Sequence, residues 1–266
     1  MNETVRQYFR TLRLPNPSSH KGQNGKLLIV GGSELFHAAS KWSLDIASKF
    51  VDMVFYSSIP SNNELVKEAK GEFWNGIVIS RQDIEDYIEE ADAVLIGPGM
   101  TRQNDTKEIT EYLLTKYPQK KWVLDAGALQ MVNPQLFTGS CIITPHSREL
   151  ALLEQQTSRQ ELLDKGVTIV LKGKIDLVMK GGDTIEITGG NPGMTKGGTG
   201  DVLAGLISAL YATQDQLTAT VTACAANKAT GDALSTQVGP YYNASDLVEK
   251  LPQVFWQMVQ EAQTAD

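Results

Sequence analysis

Cysteine is scarce. Cys141 and Cys224 are the only two among 266 residues, far apart in the chain and outside any CxxC or Cys/His cluster. A disulfide framework is thereby excluded and no zinc site is indicated; both thiols are expected to be buried and reduced. Basic charge is short as well. With 24 Lys and Arg against 31 Asp and Glu the formal charge is −7, which excludes a general nucleic-acid binder, because gripping a phosphate backbone needs a positive surface. No apolar run is long enough to span a bilayer, and the opening Met-Asn-Glu-Thr-Val-Arg-Gln-Tyr-Phe-Arg is charged, without the apolar core of a secretion signal. A soluble cytoplasmic protein with no membrane or nucleic-acid partner is expected. Two familiar nucleotide signatures are also missing, since neither Gly-x-x-x-x-Gly-Lys-Ser/Thr nor Gly-x-Gly-x-x-Gly after a strand occurs. Nothing resembling a repeat, a low-complexity tract or a linker divides the chain, so a single domain over 1–266 is expected, with a polar lead-in over 1–25.

What is present is a regular alternation. Short apolar runs at 26–30, 53–56, 93–96, 122–124, 141–143 and 167–171 predict strands, most of them apolar on both faces, as a parallel sheet covered on each side requires. Helical patterns fall between them at about 38–50, 62–70, 81–90, 104–117 and 147–164. A hairpin-like pair, 176–179 and 184–187, joins through Gly181-Gly182-Asp183, and a long helical region begins at Thr199. The fold class is α/β, three layers with a mostly parallel, doubly wound central sheet. In such sheets ligands lie beyond the carboxyl ends of the strands.

The loops at those ends carry the chemistry. Gly31-Gly32-Ser33, Gly97-Pro98-Gly99, Asp125-Ala126-Gly127 and Thr144-Pro145-His146 each follow a strand. Singly they read as tight turns, or for His146 as a cap residue. The densest signal is Asn191-Pro-Gly-Met-Thr-Lys-Gly-Gly-Thr-Gly-Asp201, which runs straight into Val-Leu-Ala-Gly-Leu-Ile-Ser-Ala-Leu. Its glycines deliver backbone amides to a helix N-terminus, an anion site. Asp201 at that point makes sense if its carboxylate acts on the group that receives a phosphate. The bland alternative is that Asp201 or Thr199 merely caps the helix.

Taken in order, His20-Lys21-Gly22-x-x-Gly25, Leu28-Ile-Val-Gly-Gly-Ser33, Gly97-Pro98-Gly99, Asp125-Ala126, Thr144-Pro145-His146-x-x-Glu149-Leu150, Leu171-Lys172-Gly173 and the run 191–205 resemble the ADP- or ATP-dependent NAD(P)H-hydrate dehydratases, a branch of the ribokinase-like superfamily. The resemblance covers about 20–240 and is strongest at GGTGDVLAG. It implies a ribokinase-like fold and a repair reaction: phosphorylation of the ring hydroxyl of hydrated NADH or NADPH, then expulsion of phosphate. It also implies Asp201 as base and an anion hole at Gly198, Thr199 and Gly200. Ala39, Gly99 and His146, with Asp201, match hydrate-contacting positions, and Lys172, Gly173 and Gly200 match the nucleotide side. ADP or ATP as co-substrate, Mg2+ on the phosphates and a homo-oligomer follow from the same resemblance. The sequence itself shows no metal-ligand cluster.

The chain departs from the family pattern at five positions. Phe36 and Ala38 stand where Tyr and Gly are usual, Thr101 replaces a glycine, Gly127 an aspartate, and Lys196 interrupts the glycine-rich run; Lys196 is expected on the outer side of its loop. The epimerase domain often fused ahead of this module is not seen, so a separate epimerase is expected. A small-molecule kinase of the same superfamily shares the Asp201 region, and a nucleotide-binding protein without catalysis would suit the departures. Thr144-Pro145-His146 and Gly31-Gly32-Ser33 favour the dehydratase over the kinase. The Ala-rich stretch 218–233 is expected to pack closely against a neighbour.

Overall fold

The structure, a computed structural model, describes residues 1–72 and 75–264. Among the described residues nine strands form one sheet: β1 (Lys26–Val30), β2 (Met53–Ser57), β3 (Ile77–Ile79), β4 (Ala93–Ile96), β5 (Lys121–Leu124), β6 (Cys141–Ile143), β7 (Thr168–Leu171), β8 (Asp176–Lys180) and β9 (Asp183–Ile187). Their spatial order is β3-β2-β1-β4-β5-β6-β7-β8-β9. All pairings from β3 to β7 are parallel, and β8 and β9 add an antiparallel hairpin at one edge. The strand order reverses between β1 and β4, which opens a crevice at their carboxyl ends.

Helices cover both faces because the strands are apolar on both. They are α1 (Glu3–Arg10), α2 (His37–Ala47), α3 (Pro60–Glu68), α4 (Ile84–Ile88), α5 (Asn104–Lys116), α6 (Ala126–Met131), α7 (Ser147–Leu153), α8 (Arg159–Asp164), α9 (Thr199–Thr213), α10 (Gln216–Val238) and α11 (Ala244–Thr264). One core gathers Leu27 and Ile29 of β1 with α1, α2, α9, α10 and α11. The opposite core joins Leu28 and Val30 to α4, α5, α6, α7 and α8. Adjacent residues of β1 thus feed opposite layers, as the period of a strand demands.

Several sequence expectations change. The lead-in holds α1, whose Val5 and Phe9 enter the core. The helix expected over 147–164 is two, because Ser158 accepts from the Glu161 amide while the Glu161 carboxylate accepts from the Ser158 amide, a capping box that starts a new helix. The expected 81–90 helix contracts to Ile84–Ile88. The Ala-rich stretch packs within its own chain: its small side chains let α10 lie against α9, α11 and α1, and most of its residues are buried.

Candidate active site

The glycine-rich run ends at Gly198, which is the N-cap of α9 in a left-handed backbone conformation (φ 93°), with no side chain capping the helix. Thr199 does not cap it, since its hydroxyl donates to the Met194 and Lys196 carbonyls at 2.7 and 3.0 Å. The first-turn amides of α9 lack intrahelical acceptors, although that of Thr199 donates at long range, 3.5 Å, to the Lys196 carbonyl, and the positive helix end is suited to an anion. Lys196 faces away: its ammonium donates to the Pro240 carbonyl and lies over the Tyr242 ring, on the outer side of the loop as expected.

Asp201 sits in the first turn of α9. Burial, and then the nearby Asp125 carboxylate, push its carboxyl from 3.8 up to about 7, while Lys172 pulls in the opposite sense. Lys172 is not the strand-end surface lysine that sequence alone permits. Its side chain is 19% exposed and its Nζ lies 2.7 Å from Asp125 Oδ1, itself on a side chain 3% exposed. Burial drags Lys172 down, but Asp125, Glu149 and Asp201 outweigh that and hold its pKa above the ordinary lysine value. Thr144 also donates to Asp125 Oδ1 at 2.7 Å. A largely buried cation therefore pairs with one carboxylate and acts through space on a second, whose pKa lies near neutrality.

The remaining expected residues gather around this group. Ser43 of α2 donates to the Asp201 carbonyl at 2.8 Å and to the Ala39 carbonyl at 3.4 Å, which ties the Ala39 end of α2 to the start of α9. At the β1/β4 crevice the Gly32 amide donates to the Pro98 carbonyl at 2.7 Å. A Cβ on Gly99 would lie 2.6 Å from the Phe36 carbonyl and 3.1 Å from the Ala39 Cβ, so Gly99, Gly32 and Ala39 share one close-packed patch. His146 forms an isolated parallel bridge with Lys172, and its backbone carries α7. Its Nδ1 accepts from the Arg148 and Glu149 amides at 3.1 and 3.3 Å, so it is a helix cap, and Nε2 of the half-exposed ring lies 3.6 Å from Glu149 Oε2. On the other side, Lys172, Gly173, Gly200, Asn227 and Lys228 line a cleft of ≈ 540 Å³.

Sequence reasoning quoted Asp125 and Glu149 only as motif letters and overlooked Asp176, Asn227 and Lys228. Asp125 was recognisable as a carboxylate at a strand end. The buried Lys228–Asp176 pair, 3.4 Å apart, carried no such signal, because helical spacing does not reveal that a lysine on α10 turns inward. The Gly127 departure has a steric reason here: a side chain at that position would meet the Met100 carbonyl at 2.2 Å.

A nine-stranded sheet with this strand order and an anion-ready helix start define a ribokinase-like α/β protein. Among solved structures, a ribokinase-like superfamily protein of Enterococcus faecalis matches with a TM-score of 0.84 at 22% identity, over 95% of this chain and 94% of that one. The ADP/ATP-dependent NAD(P)H-hydrate dehydratase of Bacillus subtilis, co-crystallised with ATP and Mg2+, matches at 0.79 and 23% identity over 96% of this chain and 97% of that one. In sequence, a profile described as NAD(P)H-hydrate dehydratase matches residues 27–253. The chain is 37% identical to the bifunctional NAD(P)H-hydrate repair enzyme of Methanocaldococcus jannaschii over 92% of its own length, which is 51% of that protein. It is 30% identical to the ADP-dependent (S)-NAD(P)H-hydrate dehydratase of Cenarchaeum symbiosum, over 89% of this chain and 90% of that one. The chain belongs to the NAD(P)H-hydrate dehydratase family. It spans about half the length of the bifunctional relatives it matches.

Proposed function

We propose that this chain, acting as one domain, converts hydrated NADH or NADPH back to the reduced cofactor at the expense of ADP or ATP. In this reading the ring hydroxyl loses its proton to Asp201 as its oxygen bonds to the terminal phosphorus of the nucleotide, whose bond to the bridging oxygen breaks and releases AMP or ADP. The lone pair of the enamine-like ring nitrogen then expels phosphate by breaking the C–O bond, and loss of a neighbouring ring proton restores the dihydronicotinamide. Such chemistry depends on positioning and charge stabilisation more than on covalent help. The observation that carries the reading is the group Asp201, Lys172 and Asp125 at the start of α9, with the Gly32, Ala39 and Gly99 patch on one side and the 540 Å³ cleft on the other.

Amides around Gly198, Thr199 and Gly200 would hold the transferred phosphoryl group, and Lys172, Gly173 and Gly200 the nucleotide. The hydrate would lie against Ala39, Gly99, His146 and Asp201. Among the described residues no cluster of three or more His, Cys, Asp or Glu is placed to hold a metal ion. Magnesium, as the family resemblance implies, would be carried on the nucleotide phosphates, where it would offset charge on the transferring group. A homo-oligomer and a cytoplasmic location complete the reading, supported by the exposed Leu35, Phe36 and Tyr241 and by the two buried thiols. Its functional partner would be an NAD(P)H-hydrate epimerase, which supplies the epimer the site accepts. Among the described residues no helix is long and apolar enough to cross a membrane.

Incubation with hydrated NADH is expected to restore the dihydronicotinamide absorbance band only when ADP or ATP is added. Phosphate transfer to another alcohol without that recovery would instead favour a small-molecule kinase. His146→Ala is expected to raise KM for the hydrate about tenfold and KM for the nucleotide less than twofold, since the half-exposed ring stands at a position the family resemblance assigns to the hydrate; losing the α7 cap also costs about 1 kcal/mol. The reverse pattern in initial-rate kinetics would reassign the two pockets.

A further inference from the structure

The cleft has two unlike ends. Gly200 and Lys172 bring a helix-start amide and a cation, Met194 and Leu203 line an apolar slot, and α10 contributes a wall carrying Asn227 and Lys228. Asn227 lies on that wall with 3% of its surface exposed, and among the described residues its Oδ1 has no hydrogen-bond partner. The next residue is fully engaged: Lys228 Nζ donates to the Gly173 and Lys174 carbonyls at 3.0 and 3.1 Å and pairs with Asp176, whose Oδ1 also accepts from the Gly173 amide. The ion pair thus fixes the 173–176 turn against α10, and Asn227, which lines the same cleft, is left with an unpartnered amide oxygen. A buried amide oxygen with no donor is costly, and a ligand that brings one relieves it.

On the reading that this cleft takes the nucleotide, we infer that Asn227 reads the base, its Oδ1 accepting from the exocyclic amine of adenine and its Nδ2 donating to the adjacent ring nitrogen. An amide presents one acceptor beside one donor, and the edge of adenine presents a donor beside an acceptor. Guanine presents two acceptors, O6 and N7, on the corresponding edge, which leaves Oδ1 facing another oxygen. Asn227 is therefore a specificity-determining residue, held by a helix packed on three sides.

Calorimetric titration with ADP and with purine riboside 5′-diphosphate, which lacks only the amine, tests this without turnover. The wild-type protein is expected to bind ADP about tenfold more tightly than the deaminated analogue. Asn227→Leu, close in volume, is expected to bind both within twofold of each other, and Asn227→Asp to fall between. Equal wild-type affinities, or undiminished discrimination in Asn227→Leu, would overturn the assignment while leaving the nucleotide reading intact. A wild-type protein that binds neither compound, nor ATP, would overturn both.

Discussion

Asp201→Asn is expected to lower turnover about 10²–10⁴-fold while ADP affinity stays within a few-fold of wild type. The substitution keeps the shape of the side chain and the amides around it, but an amide does not take the hydroxyl proton. On the proposed reading, whatever binding the start of α9, Lys172 and the Gly173 turn contribute would be unchanged, so the loss should fall on kcat. The carboxyl titrates at about 7, and only its ionised form is a base, so kcat/KM of the wild type for the hydrate should rise with pH through about 7 and then level. The acidic limb should be missing from whatever activity Asp201→Asn retains. Stability supplies an independent check. A carboxyl whose folded pKa is raised disfavours folding where it must ionise, a penalty absent below pH 4, growing between 4 and about 7, and full above that. Asp201→Asn should therefore melt at a higher temperature than wild type at pH 8, and the gap should close toward pH 4. Unaltered turnover would remove Asp201 from the chemistry, whatever the melting curves show.

The centre of the sheet was legible because its strands bury both faces and so stand out as apolar runs, whereas the β8–β9 hairpin was read from its Gly181-Gly182-Asp183 turn. β3 escaped: it is three residues long, sits on the edge of the sheet and follows Gly76. α6 escaped because Asp125-Ala126-Gly127 looks like a turn, and Ala126 indeed has a positive φ of 44° before the helix proceeds. At the site, the turn through Gly198 into the start of α9 was readable from glycine spacing, since a left-handed N-cap favours glycine. The ion-paired interior was not. Lys172 and Asp125 lie 47 positions apart, and only the parallel order β5-β6-β7 brings their strand ends together. Asn227 and Lys228 were hidden for a related reason: α10 is buried nearly all round, so it has no polar face on which an inward lysine would look out of place.

Lys172→Met should reduce both stability and activity, and a second substitution should separate the two. Removing the ammonium leaves the Asp125 carboxylate buried with only the Thr144 hydroxyl on its Oδ1, and breaking a buried pair from one side costs about 3–5 kcal/mol. The same change takes away the one nearby charge that favours ionised Asp201, while burial and Asp125 continue to oppose it. The acidic limb of kcat/KM should consequently move above 7 in Lys172→Met, and on the proposed reading nucleotide should bind more weakly for want of a point charge beside Gly200. Replacing Asp125 by Asn in the same chain removes the stranded charge, so the double variant should recover most of the lost stability by thermal melting. It should also bring the limb back toward 7, because the carboxylate that repels Asp201 is gone. Nucleotide affinity should stay low, since nothing has replaced the cation. If the double variant regained nucleotide affinity along with stability, Lys172 would be a structural partner of Asp125 alone, without a place beside the phosphates.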